Sequence, residues 1–314
     1  MINVENLSKN YGHIKAVKSI SFDIGDGEIV GFLGPNGAGK STTLKVLTGF
    51  LAPTAGSVFI NGMNIIEEEQ EIQKSIGYLP ELNPLYTEMI VYDYLQFIAS
   101  VRNLKGKQFS QSLGRVIEQC GLKGVLHRHI GNCSKGYKQR IGLAASMIHD
   151  PKILILDEPV SGLDPNQIVE IRELIKGLGK EKLVLISSHI LQEIQATVDR
   201  IIIINKGKIV ADGTSENLIS NAQGKTTLSM EIANATKESV EEMKAVIPSV
   251  NLVSFSDAGD SSKVHLEYPL ENDPRKDIFT YGVEKGWVIL EMATTKSNLE
   301  DIFRNLTVTE VADA

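Results

Sequence analysis

Gly34-Pro35-Asn36-Gly37-Ala38-Gly39-Lys40-Ser41-Thr42 sets a glycine, four residues and then Gly-Lys-Ser in unbroken order. That is the spacing of a loop that cradles phosphates. Glycines let a backbone curl tightly and turn its N–H groups inward, and a helix N-terminus behind them favours an anion. Lys40 would reach the β- and γ-phosphates of a bound nucleotide, and Ser41 would hold Mg²⁺. A second cluster lies downstream, where Ile153-Leu154-Ile155-Leu156 ends in Asp157-Glu158. A buried strand with this ending delivers two carboxylates to its C-terminal edge, where α/β sheets place ligands. There Asp157 would hold the metal, directly or through water, and Glu158 would polarise the water that attacks the terminal phosphate. His189 follows another apolar run, Leu183-Val184-Leu185-Ile186-Ser187-Ser188, and would bond a γ-phosphate oxygen and orient that water. The bland readings are a glycine turn before an ordinary helix, a strand end facing solvent and a solvated histidine. Their occurrence together, each behind a strand-like run, favours the chemical reading over all three.

These residues need a scaffold that brings several strand ends together. The run Glu28–Leu33 before the glycine loop is short and apolar, so it reads as a buried strand, and Thr42–Leu47 reads as the first turns of a helix. Upstream, Ile2–Leu7, Ile14–Val17 and Ser19–Ile24 alternate with turns, and Tyr11 falls in the first turn. Gly25-Asp26-Gly27 is a turn signal, and Asn61-Gly62 after Ser57–Ile60 is a hairpin pair. Glu67–Glu71 is a solvated helix face, and Ile76–Leu79 is a further buried strand ended by Pro80. From about Leu82 to Asp150 strand signals give way to helical periodicity, through Tyr94, Ile98 and Val101, then Leu113, Val116 and Ile117, then Ile141, Ala144, Ala145 and Ile148. Strands return at Ile153–Leu156, Leu183–Ser187, Arg200–Ile204 and Lys208–Ala211 with helices between. The class is therefore α/β, with a mainly parallel sheet covered by helices and a helical insert over about 82–150. After residue 220, a polar linker at 221–225 leads into a smaller unit over 226–314. Its order, strand–helix–strand–strand–helix–strand, suggests a small α+β ferredoxin-like domain, followed by a final helix over Leu299–Leu306. No internal repeat or low-complexity segment is present.

Composition bounds the rest. A length of 314 residues suits one large and one small domain, and 42% hydrophobic with 23% charged residues is ordinary for a globular chain. A formal charge of −7 with no basic stretch argues against a nucleic-acid partner. No apolar run approaches the ~20 residues a membrane span requires, and Met1-Ile2-Asn3-Val4-Glu5 lacks the basic start and apolar core of a signal peptide. Cys120 and Cys133 have neither disulfide-scaffold nor metal-ligand spacing, which points to core or near-surface thiols in a reducing cytosol.

Over residues 1–220 the motifs and their order resemble the ATP-binding subunit of an ATP-binding-cassette (ABC) transporter. The resemblance implies the P-loop cassette fold, with its parallel core, an antiparallel β subdomain and a helical subdomain. It also implies ATP and Mg²⁺ as the bound species, with ATP hydrolysis as the reaction. Tyr11 would be the aromatic residue that stacks on adenine. Cys133-Ser134-Lys135-Gly136-Tyr137 occupies the place of the family signature Leu-Ser-Gly-Gly-Gln. Ser134 and Gly136 match, whereas Cys133, Lys135 and Tyr137 depart. In the family this segment contacts the ATP held by a second cassette, so two cassettes, here two copies of this chain, sandwich two nucleotides, and Ser161-Gly162-Leu163-Asp164 carries communication between them. Glu81 stands where the family usually has Gln; a carboxylate can still ligate Mg²⁺, and the segment around it usually touches an integral-membrane permease subunit. Gly77–Tyr86 resembles the gliding-motility type, within the multidrug, antibiotic and polysaccharide exporter branch, and Asn298–Thr307 resembles that branch's ending. The implied protein is a cytoplasmic ATPase, peripheral at the inner face of the membrane through its permease. Two rivals remain at this point: an ABC-type ATPase acting on nucleic acid or ribosomes, and a regulatory nucleotide-binding module without turnover.

Overall fold

The computed structural model describes residues 1–222, 226–257, 259–269, 272–295 and 299–308. The chain divides into two compact units, Met1–Thr214 and Ser215–Ala314.

The first unit opens with β1 (Ile2–Tyr11) and β2 (Ile14–Ile24), continues through β3 (Ile29–Leu33) and α1 (Lys40–Leu47), and returns to strand in β4 (Ala55–Ile60) and β5 (Met63–Asn64). Strands β2-β1-β4-β5 form an antiparallel sheet. β2 unites two runs that the sequence separates, because Ser19 takes a left-handed φ of 52° and the register with β1 shifts. Such a bulge keeps pairing going across a break in alternation. Asn61 and Gly62 both have positive φ, 52° and 81°, the geometry of a two-residue hairpin turn, and Ile60 pairs with Met63 across it.

Next come α2 (Glu69–Ser75), β6 (Ile76–Leu79), α3 (Val91–Val101), α4 (Gly106–Gln119), α5 (Lys135–Met147), β7 (Ile153–Leu156), α6 (Pro165–Gly179), β8 (Leu183–Ser188), α7 (Leu191–Gln195), β9 (Arg200–Asn205) and β10 (Lys208–Gly213). The central sheet has the order β10-β9-β3-β8-β7-β6. Every pair is parallel except the edge pair β9–β10. β3, β7 and β8 are buried along their whole length, as strands covered on both faces must be. One face shares a core with the antiparallel sheet, through Phe22, Phe32, Leu44, Ile155 and Ile202. The other packs under α3–α6, through Leu95, Val116, Ile141, Leu154 and Ile175. Both cysteines are buried.

The second unit begins with α8 (Ser215–Ala222), so Asn221 and Ala222 are helical, and 223–225 of the expected linker lie outside the described residues. It continues with β11 (Thr226–Ala233), α9 (Lys237–Val246), β12 (Asn251–Asp257), β13 (Ser262–Tyr268), α10 (Arg275–Glu284), β14 (Val288–Thr295) and α11 (Leu299–Val308). The sheet is antiparallel with order β12-β13-β11-β14, and its core gathers Met230, Met243, Leu266, Ile278 and Trp287. Thr236 and Ser239 close a reciprocal capping box at the start of α9. Asn298 of the C-terminal ending lies outside the described residues.

Candidate functional site

Parallel pairing puts the C-terminal ends of β3, β8, β7 and β6 in one row. Leu33 pairs with Ser188, Leu156 with Ile186, and Leu79 with Leu156. The chemistry-bearing residues are the ones that follow these strand ends, which is how residues far apart in sequence meet.

The loop after β3 is shaped by its glycines. Gly37 and Gly39 have φ of 78° and 111°, which side chains resist. A Cβ on Gly39 would also lie 2.6 Å from the Ala16 carbonyl oxygen. The Gly34 N–H donates to the Ser188 carbonyl at 3.2 Å, tying the loop to β8. Gly39 is the N-cap of α1 and Lys40 its first residue, so Lys40, Ser41 and Thr42 hold the first-turn N–H groups that an α-helix leaves without internal acceptors. No carboxylate occupies that first turn, as suits a site for a polyphosphate.

Lys40 is buried and folds back over the loop. Its ammonium donates to the Gly34 carbonyl at 2.7 Å and the Pro35 carbonyl at 3.3 Å, and it lies 3.3 Å from Glu158 Oε1. The other carboxylate oxygen of Glu158, Oε2, sits 2.9 Å from His189 Nδ1. Glu158 is thus held between an ammonium and an imidazole while 5% exposed. Its backbone has a left-handed φ of 49°, a conformation costing of order 1 kcal/mol that persists where the surroundings enforce it. Asp157, 1% exposed, accepts at Oδ1 from Ser41 Oγ at 3.2 Å and from Ser187 Oγ at 2.6 Å. Ser187 in turn accepts from the Glu158 N–H at 2.9 Å, and the Asp157 N–H donates to the Leu79 carbonyl at 2.8 Å. Ser41 Oγ and Asp157 Oδ1 are two hard oxygens from different elements. They fit Mg²⁺, which takes few protein oxygens and fills its octahedron with water and phosphate.

Other expected positions are placed differently. Tyr11 is the last residue of β1 and not a turn residue. It pairs with Ile14, is 44% exposed, and has the Lys9 ammonium 5.6 Å from its ring centroid, a cation–π arrangement. The hairpin it closes runs on to Ala16, whose carbonyl faces Gly39. Glu81 is exposed just beyond β6, and among the described residues no hydrogen bond joins it to Ser41 or Asp157. Its charge is felt nonetheless. Burial, then the Asp157 charge, then the Glu81 charge push the Tyr78 phenol well above its ordinary pKa. Tyr78, Pro80, Asn83, Ile98, Arg102 and Gly142 line a groove of about 900 Å³ between the end of β6 and the helical insert.

Ser134 caps α5 by accepting from the Tyr137 N–H at 3.3 Å. Gly136 is buried, and a Cβ there would lie 2.7 Å from the Gln167 side-chain amide. The Lys135 ammonium rests on Gly162, whose φ is 67°. The signature segment and the Ser161–Asp164 loop are therefore packed together within one chain, and Asp164 caps α6 by accepting from the Gln167 N–H at 3.0 Å. Ser187 and Gln167 escaped the sequence reading. The only signal for Ser187 is a hydroxyl in the last two positions of an otherwise apolar strand, and its partners become visible only through the β7–β8 register.

The family model described as ABC transporter matches residues 17–161. An uncharacterized ABC transporter ATP-binding protein, YxlF of Bacillus subtilis (strain 168), is 34% identical over 304 residues, covering 96% of this chain and 98% of the relative. The linearmycin resistance ATP-binding protein LnrL of the same organism is 30% identical over 311 residues, 98% of each chain. Among solved structures, an ATP-binding subunit of an ABC transporter superposes with a TM-score of 0.64 at 29% identity, covering 71% of this chain and 93% of that one.

Proposed function

We propose a transport role from a firm premise: this chain belongs to the ABC transporter ATP-binding proteins, and it is an ATP-binding ATPase of the cassette fold. The finer reading is that it powers a separate membrane permease and that transport runs outward. The observation carrying the hydrolytic part is the bracketing of buried Glu158 by Lys40 and His189 at the mouth of the glycine loop.

In this reading the loop N–H groups and Lys40 hold the β- and γ-phosphates of ATP. Glu158 accepts the proton of the attacking water, and His189, fixed by Glu158, contacts the γ-phosphate and keeps that water in line. Ser41 and Asp157 would hold Mg²⁺, which when bound neutralises phosphate charge. Tyr11 supplies a ring face for adenine. Ser134 and Gly136 at the start of α5 face the nucleotide of a second copy of the chain. In the resulting closed dimer Glu81 would join Ser41 and Asp157 in holding Mg²⁺ and would couple nucleotide state to transport, and the groove beside it would receive the permease. The cassette would run to about residue 220, with the unit after it a ferredoxin-like accessory domain that supports or regulates the dimer.

The full-length likeness to a linearmycin resistance protein supports export and spans the second unit as well. It lends no specific support to a gliding-motility role. The absence of a helix long and apolar enough to cross a membrane, among the described residues, fits a subunit that reaches the membrane through a partner. Affinity purification from membranes tests this. Recovery of a polytopic membrane protein that stimulates ATP hydrolysis is expected, and recovery of ribosomes or nucleic acid instead would refute the transport reading.

A further inference from the structure

We propose that Ser187 is a positioning residue for hydrolysis, a single buried hydroxyl that fixes the metal-side carboxylate of Asp157 and the backbone of Glu158 together. The inference rests on the roles given to those two carboxylates above.

The register of the sheet creates the contact. Leu156 of β7 lies beside Ile186 of β8, so the next residues, Asp157 and Ser187, also come side by side. Ser187 is fully buried. A hydroxyl has one proton and two lone pairs, and here their use is dictated by the partners. The carboxylate of Asp157 accepts, so the Ser187 proton goes to Oδ1 at 2.6 Å. The Glu158 N–H donates, so it takes a lone pair of Ser187 Oγ at 2.9 Å.

Two consequences follow for the reaction. Asp157 Oδ1 receives hydroxyls from Ser187 at 2.6 Å and Ser41 at 3.2 Å. The shorter bond comes from the central sheet and the longer from the first turn of α1 behind the glycine loop. When Ser41 turns its oxygen to a metal, Ser187 still anchors Asp157. The second consequence concerns the base. Glu158 holds a left-handed φ of 49°, which side chains avoid. The bond to Ser187 fixes the peptide on which that turn depends. Relaxing the turn would carry Oε1 away from Lys40 and Oε2 away from His189. The four residues before Ser187 in its strand, Leu183-Val184-Leu185-Ile186, are apolar, so the run turns polar where a hydroxyl can reach both site residues.

The test uses the full chain with Ser187→Ala, Ser187→Thr and Ser188→Ala. Ser188 Oγ donates to Glu193 and accepts from the Ile190 N–H, so its removal loosens the same strand end without touching either carboxylate. Three quantities are read: affinity for a fluorescent ATP analogue in EDTA, affinity of the protein–nucleotide complex for Mn²⁺ from its paramagnetic signal, and kcat against KM for hydrolysis. Ser187→Ala is expected to bind metal-free nucleotide within about twofold of wild type. It should bind Mn²⁺ roughly tenfold more weakly and lose about 100-fold in kcat with KM little changed, as a misplaced reacting group does. Ser187→Thr, which keeps the hydroxyl, restores Mn²⁺ binding and most of kcat, and Ser188→Ala leaves Mn²⁺ binding at the wild-type value. Wild-type Mn²⁺ affinity and kcat in Ser187→Ala would overturn the proposal, as would equal losses in Ser188→Ala. If Ser187→Ala does not fold, Ser187→Cys gives the same comparison with a weak donor of similar shape. A wild-type chain that binds no nucleotide would instead remove the site assignment itself.

Discussion

Glu158→Gln separates the two jobs proposed for one carboxylate, an ionic tie to Lys40 and a general base. The side chain keeps its shape and loses its charge. In the resting site Glu158 is an ionic partner of Lys40, 3.3 Å away, with both side chains 6% exposed. At an effective dielectric of 20 that separation corresponds to about 5 kcal/mol of attraction. Desolvation of two buried charges offsets most of it, leaving a tie of order 1 kcal/mol. ATP must compete with this tie for the ammonium. Removing the charge therefore frees Lys40 for phosphate, and nucleotide affinity should hold or rise by up to about tenfold, since a factor of ten is about 1.4 kcal/mol. Catalysis moves the other way. Loss of a general base removes about 10²–10⁴-fold in rate, or roughly 3–5 kcal/mol of barrier. The expected phenotype is tight binding without turnover, accumulating as an ATP-bound dimer. Equilibrium nucleotide titration, phosphate release and size-exclusion chromatography with ATP read the three parts. Hydrolysis within about threefold of wild type would remove Glu158 from the role of base. A tenfold loss of ATP affinity would refute the Lys40–Glu158 tie as a competitor for phosphate.

Lys40→Ala deletes the buried ammonium that the glycine loop folds around; ATP affinity should drop at least tenfold by equilibrium titration, and an unchanged curve would count against the phosphate-loop assignment. Gly136→Ala places a Cβ 2.7 Å from the Gln167 amide and should weaken ATP-driven dimerisation, whereas Gln167→Ala in the same chain should recover it; strictly additive losses in that double-mutant cycle would deny the contact. Burial, then the charge of Arg102, pushes His149 down to about 4, against the opposing pull of the Ile76 carbonyl and Asp150. Unfolded, the same imidazole titrates near 6.5, so between these values the unfolded chain binds a proton that the folded one refuses. The stability from neutral His149 is then complete above about pH 6.5 and drains by up to about 1.4 kcal/mol per unit as pH falls toward 4. Urea midpoints should fall more steeply with acid for wild type than for His149→Gln, and parallel curves would refute this.

The local chemistry was legible without coordinates because each motif is a short run. Glycines at fixed spacing before Lys40-Ser41, an apolar strand ending in Asp157-Glu158 and His189 behind Leu183–Ser188 each declare an element and the group it carries. The helical insert and the strand–helix order of both units followed from periodicity, which depends only on near neighbours. Other features waited on tertiary structure for a common reason, which is that they depend on which strands are neighbours. Ser41 and Asp157 are 116 residues apart, and Glu158 and His189 are 31 apart. They meet because β8 lies between β3 and β7, an order out of chain sequence that spacing along the chain does not encode. The same register gives Ser187 its two partners. It takes the approach of two helix starts to set Gln167 on Gly136 and Lys135 on Gly162. A bulge at Ser19 joins two runs into β2, and pairing with Ile14 makes Tyr11 a strand end where the sequence places a turn. Residue types declared which groups were present, and the packing of parallel strands decided which of them meet in a hydrogen bond or an ion pair.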